Sequence, residues 1–286
     1  MKIRYLIANS ILGRFFLRIA SKQKFNHKGA LKILIYHDIP YRDFDKFEAQ
    51  IKFIARQYGF VSPDDLQKIL NGQVEYTGVR VLLTFDDGFK SNALLAEKVL
   101  DPLGIKAIFF IPVGFINMQK RDGEKPFIAE NIYNNHIVIE NIPDEMAPMN
   151  WQDLKGLLSH GHTIGAHTIN HRRLSRIKSE NELRREITES GNMLQEKLGV
   201  SINHFSFPFG DIDSIDQRAM RIIRERYKYC YSGIRGNNHM GSSPFAILRD
   251  LVSVDDPLSY FQFVINNGLE LLYKKKALVL AKEMIA

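Results

Sequence analysis

From Leu31 onward, short and strongly apolar segments alternate with helical or loop segments, and this alternation restricts the fold more than any other feature of the chain. Most of the apolar segments are dense in Ile, Val, Phe or Tyr, as expected for parallel strands that are covered on both faces. Strands are predicted at Lys32–Tyr36, Val81–Phe85, Lys106–Ile111, His162–His167, His204–Phe207, Tyr227–Ser232 and Ala246–Val252. Because each of them is followed by a helical or loop segment, the pattern predicts one α/β domain with a parallel barrel rather than an open sheet.

Helical periodicity fills most of the connections between these strands. Helices are predicted at Phe44–Gln57, Pro63–Leu70, Ser91–Leu100, Trp151–His160, Ser179–Leu198, Ile215–Arg226 and Pro257–Leu272. The connection over Pro112–Asn150 is far longer than an ordinary strand–helix loop. A connection of this length is either a functional loop or a plain insertion, and the sequence leaves both open.

Composition excludes several classes of protein. The chain has 286 residues and a single cysteine, Cys230, so it has no internal disulfide framework and no multi-cysteine metal site. No stretch approaches the roughly 18 consecutive apolar residues of a membrane-spanning helix. The net charge of +7 comes from scattered basic residues without a nucleic-acid-binding motif, so nucleic acid is not an expected partner.

The first 28 residues form a segment of different character. Apolar residues recur there at three- and four-residue spacing, and Lys and Arg surround them, which predicts a basic amphipathic helix. Its apolar stretch is short and lacks a clear cleavage site, so it makes only a weak secretion signal. A helix on an anionic membrane surface and a helix packed on the domain both remain open. We expect the protein in the cytoplasm, with peripheral contact at the inner face of the membrane as an alternative.

Titratable residues follow two of the predicted strands directly. The strand at Val81–Phe85 leads into Asp86-Asp87-Gly88, where adjacent carboxylates repel each other unless a cation or proton lies between them. The strand that ends near Ala166 leads into His167 and His171, whose imidazoles can reach one ion. Divalent metals such as zinc are held by such a set in catalytic sites. Each motif alone could be a turn or a chance spacing, but together at strand exits they favour a metal site.

Two weaker signals occur at other strand exits. His37-Asp38 follows the first strand, and Pro208-Phe209-Gly210 follows the strand at His204–Phe207. A hydrogen-bonded core histidine and a structural turn explain them equally well when each is taken alone.

Three of these motifs resemble those of a known family. Thr84-Phe85-Asp86-Asp87-Gly88, His167-Thr168-Ile169-Asn170-His171 and Phe207-Pro208-Phe209-Gly210 are similar to the successive motifs of the polysaccharide deacetylases, the NodB-type carbohydrate esterases. The resemblance extends over about Leu31 to Val254. It implies a distorted seven-stranded (β/α) barrel, a catalytic domain over 29–286, and a hydrolase that removes acetyl groups from N-acetylated, sometimes O-acetylated, sugars of the cell envelope.

The resemblance also implies roles for individual residues. Asp86 matches the catalytic base. Asp87, His167 and His171 match the ligands of one divalent metal ion, for which zinc is preferred. The turn at Pro208 and Phe209 matches the segment whose backbone amide helps to bind the oxyanion.

The sequence departs from the family pattern at two points. Ser206 stands where many members have an arginine that steadies the base, and the region around Leu248-Arg249 lacks the late catalytic histidine of many members. The branch that resembles poly-N-acetylglucosamine deacetylases has an early Tyr-His motif instead, which Tyr36-His37 matches. We therefore take His37 as the candidate acid. Arg249 is a candidate substitute for the missing arginine, although a surface ion pair explains it as well.

The expected function is therefore metal-dependent deacetylation of an acetylated glycan. Two alternatives stay open at this point, since one fold can carry many activities. One is a metal-dependent hydrolase of another amide or ester on the same barrel. The other is a barrel that binds carbohydrate without catalysis, although such a module has no physical need for a base beside three metal ligands.

Overall fold

The computed structural model describes residues 29–74, 76–118 and 121–283, so the amphipathic segment predicted over 1–28 lies outside the described residues. The described chain contains a seven-stranded sheet in the order β6-β5-β4-β3-β2-β1-β7, in which all paired strands are parallel. The strands are β1 (Ala30–Tyr36), β2 (Val79–Phe85), β3 (Ala107–Ile111), β4 (Thr163–Ala166), β5 (His204–Ser206), β6 (Tyr229–Tyr231) and β7 (Asp250–Leu251).

The sheet is curled into a barrel that is incompletely closed. The edge strands β6 and β7 share no ladder, and the gap between them is crossed by a parallel bridge from Tyr231 to Ile247. The amide of Ile247 donates to the carbonyl oxygen of Cys230, and its own carbonyl oxygen accepts from the amide of Ser232. This arrangement confirms the predicted distorted seven-stranded α/β barrel.

Alternate strand residues serve two different cores, because successive side chains of a strand point to opposite faces. On β1, Leu34 and Tyr36 pack in the large core that the surrounding helices share, whereas Leu31 and Ile33 pack in the barrel interior. The interior also holds Phe110 of β3 and the apolar residues of the short helix Asp65–Leu70, which precedes β2. Burial on both faces explains why the strands lack the alternation of polar and apolar residues.

The helices lie mainly in the connections between strands. They are α1 (Phe44–Gln57), α2 (Asp65–Leu70), α3 (Lys90–Leu95), α4 (Val113–Ile116), α5 (Arg121–Phe127), α6 (Trp151–Ser159), α7 (Glu180–Arg184), α8 (Ser190–Leu198), α9 (Gln217–Arg226), α10 (Leu258–Ile265) and α11 (Glu270–Glu283). Helical turns of π type lie at Ala96–Leu100, Ile128–Ile132 and Arg185–Glu189, and 3₁₀ turns at Tyr41–Asp43, Ile139–Asn141, Leu174–Arg176 and Ile212–Ser214. Within the described ranges, no helix has the length and apolar character that crossing a bilayer requires.

Local sequence explains where several helices begin and end. In α1, the buried residues Phe44, Phe47, Ile51 and Ile54 recur at three- and four-residue spacing and form one face toward the core. The helix α6 begins at Asn150, whose side chain caps the helix while Asp153 bonds back to the Asn150 amide.

Several predicted elements differ from the structure by a few residues at their ends, and two differ more strongly in extent. The strand predicted over Ala246–Val252 shrinks to Asp250–Leu251, because Ile247 pairs with β6 whereas Asp250 and Leu251 pair with β1. The helix predicted over Pro257–Leu272 is divided into α10 and α11, since the chain turns at Asn267, which has a positive φ of 66°.

Candidate active site

A cavity of about 290 Å³ opens where the carboxyl ends of the strands meet. Its walls include most of the predicted site residues, namely His37, Asp86, Asp87, His167, His171, Phe209 and Arg249. Pro208 is buried and does not line the cavity. Parallel strands bring their carboxyl ends to one edge, which explains why residues distant in sequence meet here.

The two carboxylates at the exit of β2 face the cavity from a strained turn. Asp86 still donates its amide to the carbonyl oxygen of Tyr36, so it continues the sheet, whereas Asp87 has a positive φ of 73°. A non-glycine residue in this region carries a local conformational cost, and such strain is concentrated at functional sites. Gly88 follows with a φ of 70°, which glycine adopts without that cost. The turn places both carboxyl groups at the cavity, although the two residues are only 4% and 3% exposed.

Asp87, His167 and His171 form a compact cluster of potential metal ligands. The Oδ1 atom of Asp87 lies 3.5 Å from Nε2 of His167 and 3.2 Å from Nε2 of His171. One ligand atom from each of the three residues lies within 4.8 Å of the others, and all three residues are buried. One oxygen and two imidazole nitrogens form the kind of three-residue set that catalytic zinc sites use.

The hydrogen bonds of the two imidazoles orient them for metal binding. Nδ1 of His167 lies 2.6 Å from the carbonyl oxygen of Ser206, and Nδ1 of His171 lies 2.8 Å from that of Asn131. A carbonyl oxygen can only accept, so Nδ1 carries a proton in both rings, and in the neutral rings Nε2 keeps its lone pair toward the cluster. Metal-ligating histidines are oriented in this way in known sites. The three residues therefore fit a divalent ion.

The loop that carries His171 is held by Glu186. Thr168 and His171 have positive φ angles of 64° and 53°, so the loop is bent sharply at both ends. The Glu186 carboxylate accepts from the amides of Ile169 and Asn170 at 3.0 and 2.8 Å, and from Nδ2 of Asn170 at 2.8 Å. Because Glu186 is only 2% exposed, these bonds form away from water and fix the path of the loop.

Asp86 forms a buried bidentate pair with Arg249. The two terminal nitrogens of the guanidinium donate to the two carboxylate oxygens at 2.8 Å each. The remaining donors bond to the carbonyl oxygen of Ser232, to Oγ1 of Thr84 and to Oγ of Ser206 at 2.8, 3.1 and 2.6 Å. Each of the five N–H groups of a guanidinium thus has an acceptor. Arg249 therefore contacts the carboxylate of Asp86, as expected of a substitute for the arginine that is missing at position 206. It is buried, so it is not part of a surface ion pair.

The charges of the site keep both carboxyl groups ionised. Burial opposes ionisation of Asp86, but Arg249 and then His167 outweigh it, so the pKa of Asp86 lies below its ordinary value. Burial also opposes ionisation of Asp87, and the neighbouring His171 contributes most to holding the pKa of Asp87 well below its ordinary value. Burial opposes protonation of His171, but the charge and hydrogen bond of Asp87, together with the bond to the Asn131 carbonyl oxygen, outweigh burial, so the pKa of His171 is raised. An ionised, buried carboxylate of this kind favours a positive charge beside it, so the cluster is suited to a cation.

The turn at Phe209 lines the cavity, and its backbone amide is without a partner in the described part of the chain. Phe209 has a positive φ of 64°, and its amide makes no hydrogen bond to any residue of the described ranges. Its ring lies between the guanidinium of Arg173, 4.4 Å from the ring centroid, and the ring of His171, 5.0 Å away. These contacts fix the turn so that a free N–H donor is available to a ligand.

His37 also lines the cavity and is exposed. Asp38 does not orient its ring, because the Asp38 carboxylate accepts from Oγ of Ser91 at 2.5 Å. The other histidines near strands lie elsewhere: Nδ1 of His204 is bonded to the hydroxyl of Tyr231, and Nδ1 of His162 accepts from the amide of Ala107.

Sequence reasoning missed the residues that the long connection contributes. Ile132 and Tyr133 line the cavity, and the carbonyl oxygen of Asn131 accepts from His171. The length of the Pro112–Asn150 connection was the only signal of this role. Glu186 was also missed, because a buried carboxylate that accepts backbone amides has no local sequence pattern.

Comparison with known proteins places these motifs in a family. Residues 74–225 of the 286 match the sequence profile of a family described as polysaccharide deacetylase. YxkH of Bacillus subtilis (strain 168), whose name assigns it to the polysaccharide deacetylases, is 26% identical over 186 residues. That match covers 63% of this chain and 57% of the length of YxkH.

Solved structures share the fold. IcaB from Ammonifex degensii superposes with a TM-score of 0.63 at 22% identity, covering 82% of this chain and 95% of IcaB. The Streptococcus pyogenes deacetylase PplD, solved in complex with acetate, superposes with a TM-score of 0.63 at 18% identity, covering 84% of this chain and 99% of PplD. At these identities the likeness shows the common barrel.

Proposed function

The chain belongs to the polysaccharide deacetylase family, and we propose that it hydrolyses the acetamido groups of N-acetylated sugars in a glycan. The observation that carries the proposal is the position of the Asp87, His167 and His171 cluster directly beside the Asp86–Arg249 pair in one cavity. A barrel that only bound sugar would not need a buried, arginine-held carboxylate next to three metal ligands. Zinc is the ion that we propose for the cluster, because it accepts one oxygen and two nitrogen ligands readily.

Asp86 is the group that we propose to accept a proton from the attacking water. A divalent ion at the cluster supplies the Lewis acidity that polarises an acetyl carbonyl and makes water easier to deprotonate. Arg249 engages both oxygens of Asp86 at 2.8 Å, which fixes the plane of the carboxylate. The remaining lone pairs can accept a proton from water within the cavity, and a positioned base of this kind contributes roughly 10²–10⁴-fold to the rate.

The developing negative charge on the acetyl oxygen needs a donor, and we assign this role to the amide of Phe209. A preorganised donor of this type contributes roughly 3 kcal/mol to stabilisation of a tetrahedral oxyanion. The ring contacts of Phe209 with Arg173 and His171 hold the turn in place, so little reorganisation is needed when charge develops.

The departing amine must be protonated, and His37 is the group that we propose as the acid. It lines the same cavity as the Phe209 turn and has no hydrogen-bond partner among the described residues. An imidazole is suited to this task because its pKa lies near neutral pH. Breakdown of the intermediate then gives acetate and a sugar with a free amino group.

The basic amphipathic segment over 1–28 supports a second part of the proposal. We propose that it rests on an anionic membrane surface and brings the site to glycans of the cell envelope. The support is the apolar spacing of the sequence with Lys and Arg around it.

Acetate release from defined substrates tests the proposed function. Purified protein, stripped of metal and then loaded with zinc, is assayed with N-acetylglucosamine oligomers, peptidoglycan fragments and O-acetylated sugars. We expect acetate from at least one N-acetylated glycan and recovery of the activity when zinc is restored after chelation. Release from simple esters but from no acetylated sugar would favour another hydrolase. Release from O-acetylated sugars alone would contradict the proposed action on acetamido groups, and tight glycan binding without any release would favour a binding module.

A further inference from the structure

Asn131 connects the long Pro112–Asn150 segment to the loop of His171 through two hydrogen bonds. Its carbonyl oxygen accepts from Nδ1 of His171 at 2.8 Å, and its side-chain Nδ2 donates to the carbonyl oxygen of Asn170 at 2.7 Å. The two bonds reach adjacent residues of the loop, so Asn131 and the loop are joined at two points. The bond to His171 is made by the backbone carbonyl oxygen, so the bond to Asn170 is the contact through which the Asn131 side chain can hold that oxygen in place.

We propose that Asn131 is a positioning residue of the metal centre, which holds His171 in the tautomer whose Nε2 can bind a metal ion. The inference rests on the proposed metal site at Asp87, His167 and His171. On this proposal, one function of the Pro112–Asn150 connection is to support a metal ligand, a function that joining β3 to β4 does not explain.

The tautomer matters because neutral imidazole has two forms. With the proton on Nδ1, the lone pair of Nε2 faces Oδ1 of Asp87, 3.2 Å away, as metal binding requires. With the proton on Nε2, that nitrogen would instead donate to Asp87 and could not bind a cation. A carbonyl oxygen at Nδ1 favours the first form and makes Nε2 a stronger ligand, and removal of such a partner costs about 10–100-fold in metal affinity.

The other contacts of the loop do not perform this task. Glu186 binds the amides of Ile169 and Asn170 and so fixes the backbone that precedes His171. His171 itself is in the left-handed region, at a φ of 53°, so its ring direction is not set by regular structure. Within the described part of the chain, the Nδ1 atom of His171 has its hydrogen bond with Asn131.

The backbone around Asn131 is held in place by apolar packing. It lies in the π turn Ile128–Ile132, where Ile128 and Ala129 are buried in an apolar cluster with Phe115 and Phe127. Ile132 and Tyr133 come directly after it and line the cavity. The segment that supports His171 is therefore continuous with the wall that a substrate would touch.

The test compares Asn131→Ala with Glu130→Ala. Alanine at 131 removes the bond to Asn170, whereas Glu130 is the exposed neighbour in the same turn and its side chain has no hydrogen bond to a described residue. The ring ¹⁵N shifts of His171, assigned with His171→Gln, report its tautomer in metal-free protein at a pH where the ring is neutral. Zinc affinity is measured separately by competition with a chromogenic chelator.

We expect the Nδ1-protonated form in the wild type and in Glu130→Ala, and a mixture of both forms in Asn131→Ala with zinc bound about tenfold more weakly. Unchanged tautomer and zinc affinity in Asn131→Ala, or equal losses in both variants, would overturn the proposal. Thermal unfolding verifies that each variant is folded, and Asn131→Ser replaces Asn131→Ala if the latter is not. A wild type that binds no zinc would refute the proposed metal site, while the tautomer comparison would still decide the role of Asn131.

Discussion

Removal of the Arg249 guanidinium tests the electrostatic part of the site. Asp86 is only 4% exposed in the wild type. In Arg249→Met its carboxylate loses both bonds to the guanidinium, and Thr84 and Ser206 lose a bonding partner as well. Breaking a buried ion pair by removing one partner costs about 3–5 kcal/mol. We expect a loss of this size in the free energy of unfolding measured with urea at neutral pH.

The loss should depend on pH in a defined direction. In the wild type, the pKa of Asp86 is depressed, so its contribution to stability is present above its ordinary value of about 3.9 and is lost as the pH falls through the folded-state value. Without Arg249, burial dominates and raises the pKa of Asp86. The protonated side chain needs no counter-charge, so the difference in stability between variant and wild type should shrink as the pH falls toward 4.

Two controls and one activity profile complete this test. Arg249→Lys keeps a charge but cannot make two parallel bonds to a carboxylate, so we expect an intermediate loss. Arg184→Met removes an arginine that pairs with Glu225 on the surface and should leave stability nearly unchanged. The acid limb of the acetate-release profile should move to higher pH in Arg249→Met. Wild-type stability together with an unmoved acid limb would refute the assignment of Arg249 to Asp86.

Three further predictions concern the metal, the acid and the membrane. His167→Ala/His171→Ala should lose stoichiometric zinc in elemental analysis while remaining folded; full retention of the metal would exclude these ligands. His37→Ala should keep zinc and lose turnover of acetamido substrates more than of activated acetyl esters, whose leaving groups need little protonation; equal losses would indicate a binding role. Deletion of residues 1–28 should weaken co-sedimentation with anionic vesicles, and undiminished binding would place the membrane contact elsewhere.

The sequence predicts those parts of the molecule that depend on local pattern. The helix Phe44–Gln57 was predicted with the bounds that the structure has, because its buried residues follow helical spacing. The site residues Asp86, Asp87, His167 and His171 were found because each follows a strand, and parallel strands deliver such residues to one edge of the barrel.

Other features depend on contacts between distant parts of the chain. The last strand is shorter than its apolar run because Ile247 and Asp250 pair with different neighbours. Asn131 bonds to His171, 40 positions further along the chain, and Glu186 bonds to Asn170, 16 positions before it. Neither spacing leaves a pattern in the sequence. Such contacts become visible only when the barrel brings these segments together.

Acetate release by Asp86→Asn, with zinc content measured on the same sample, tests the central claim most directly. Asparagine keeps the size of the side chain but cannot take a proton from water. It also leaves the Arg249 guanidinium without its carboxylate partner, so the variant should be less stable than the wild type. We expect it to remain folded and to hold zinc at wild-type stoichiometry, because Asp87, His167 and His171 are unchanged. We expect its rate on the best N-acetylated glycan to fall at least about a hundredfold. A zinc-loaded Asp86→Asn variant that releases acetate at the wild-type rate would contradict the mechanism and move the base to another residue.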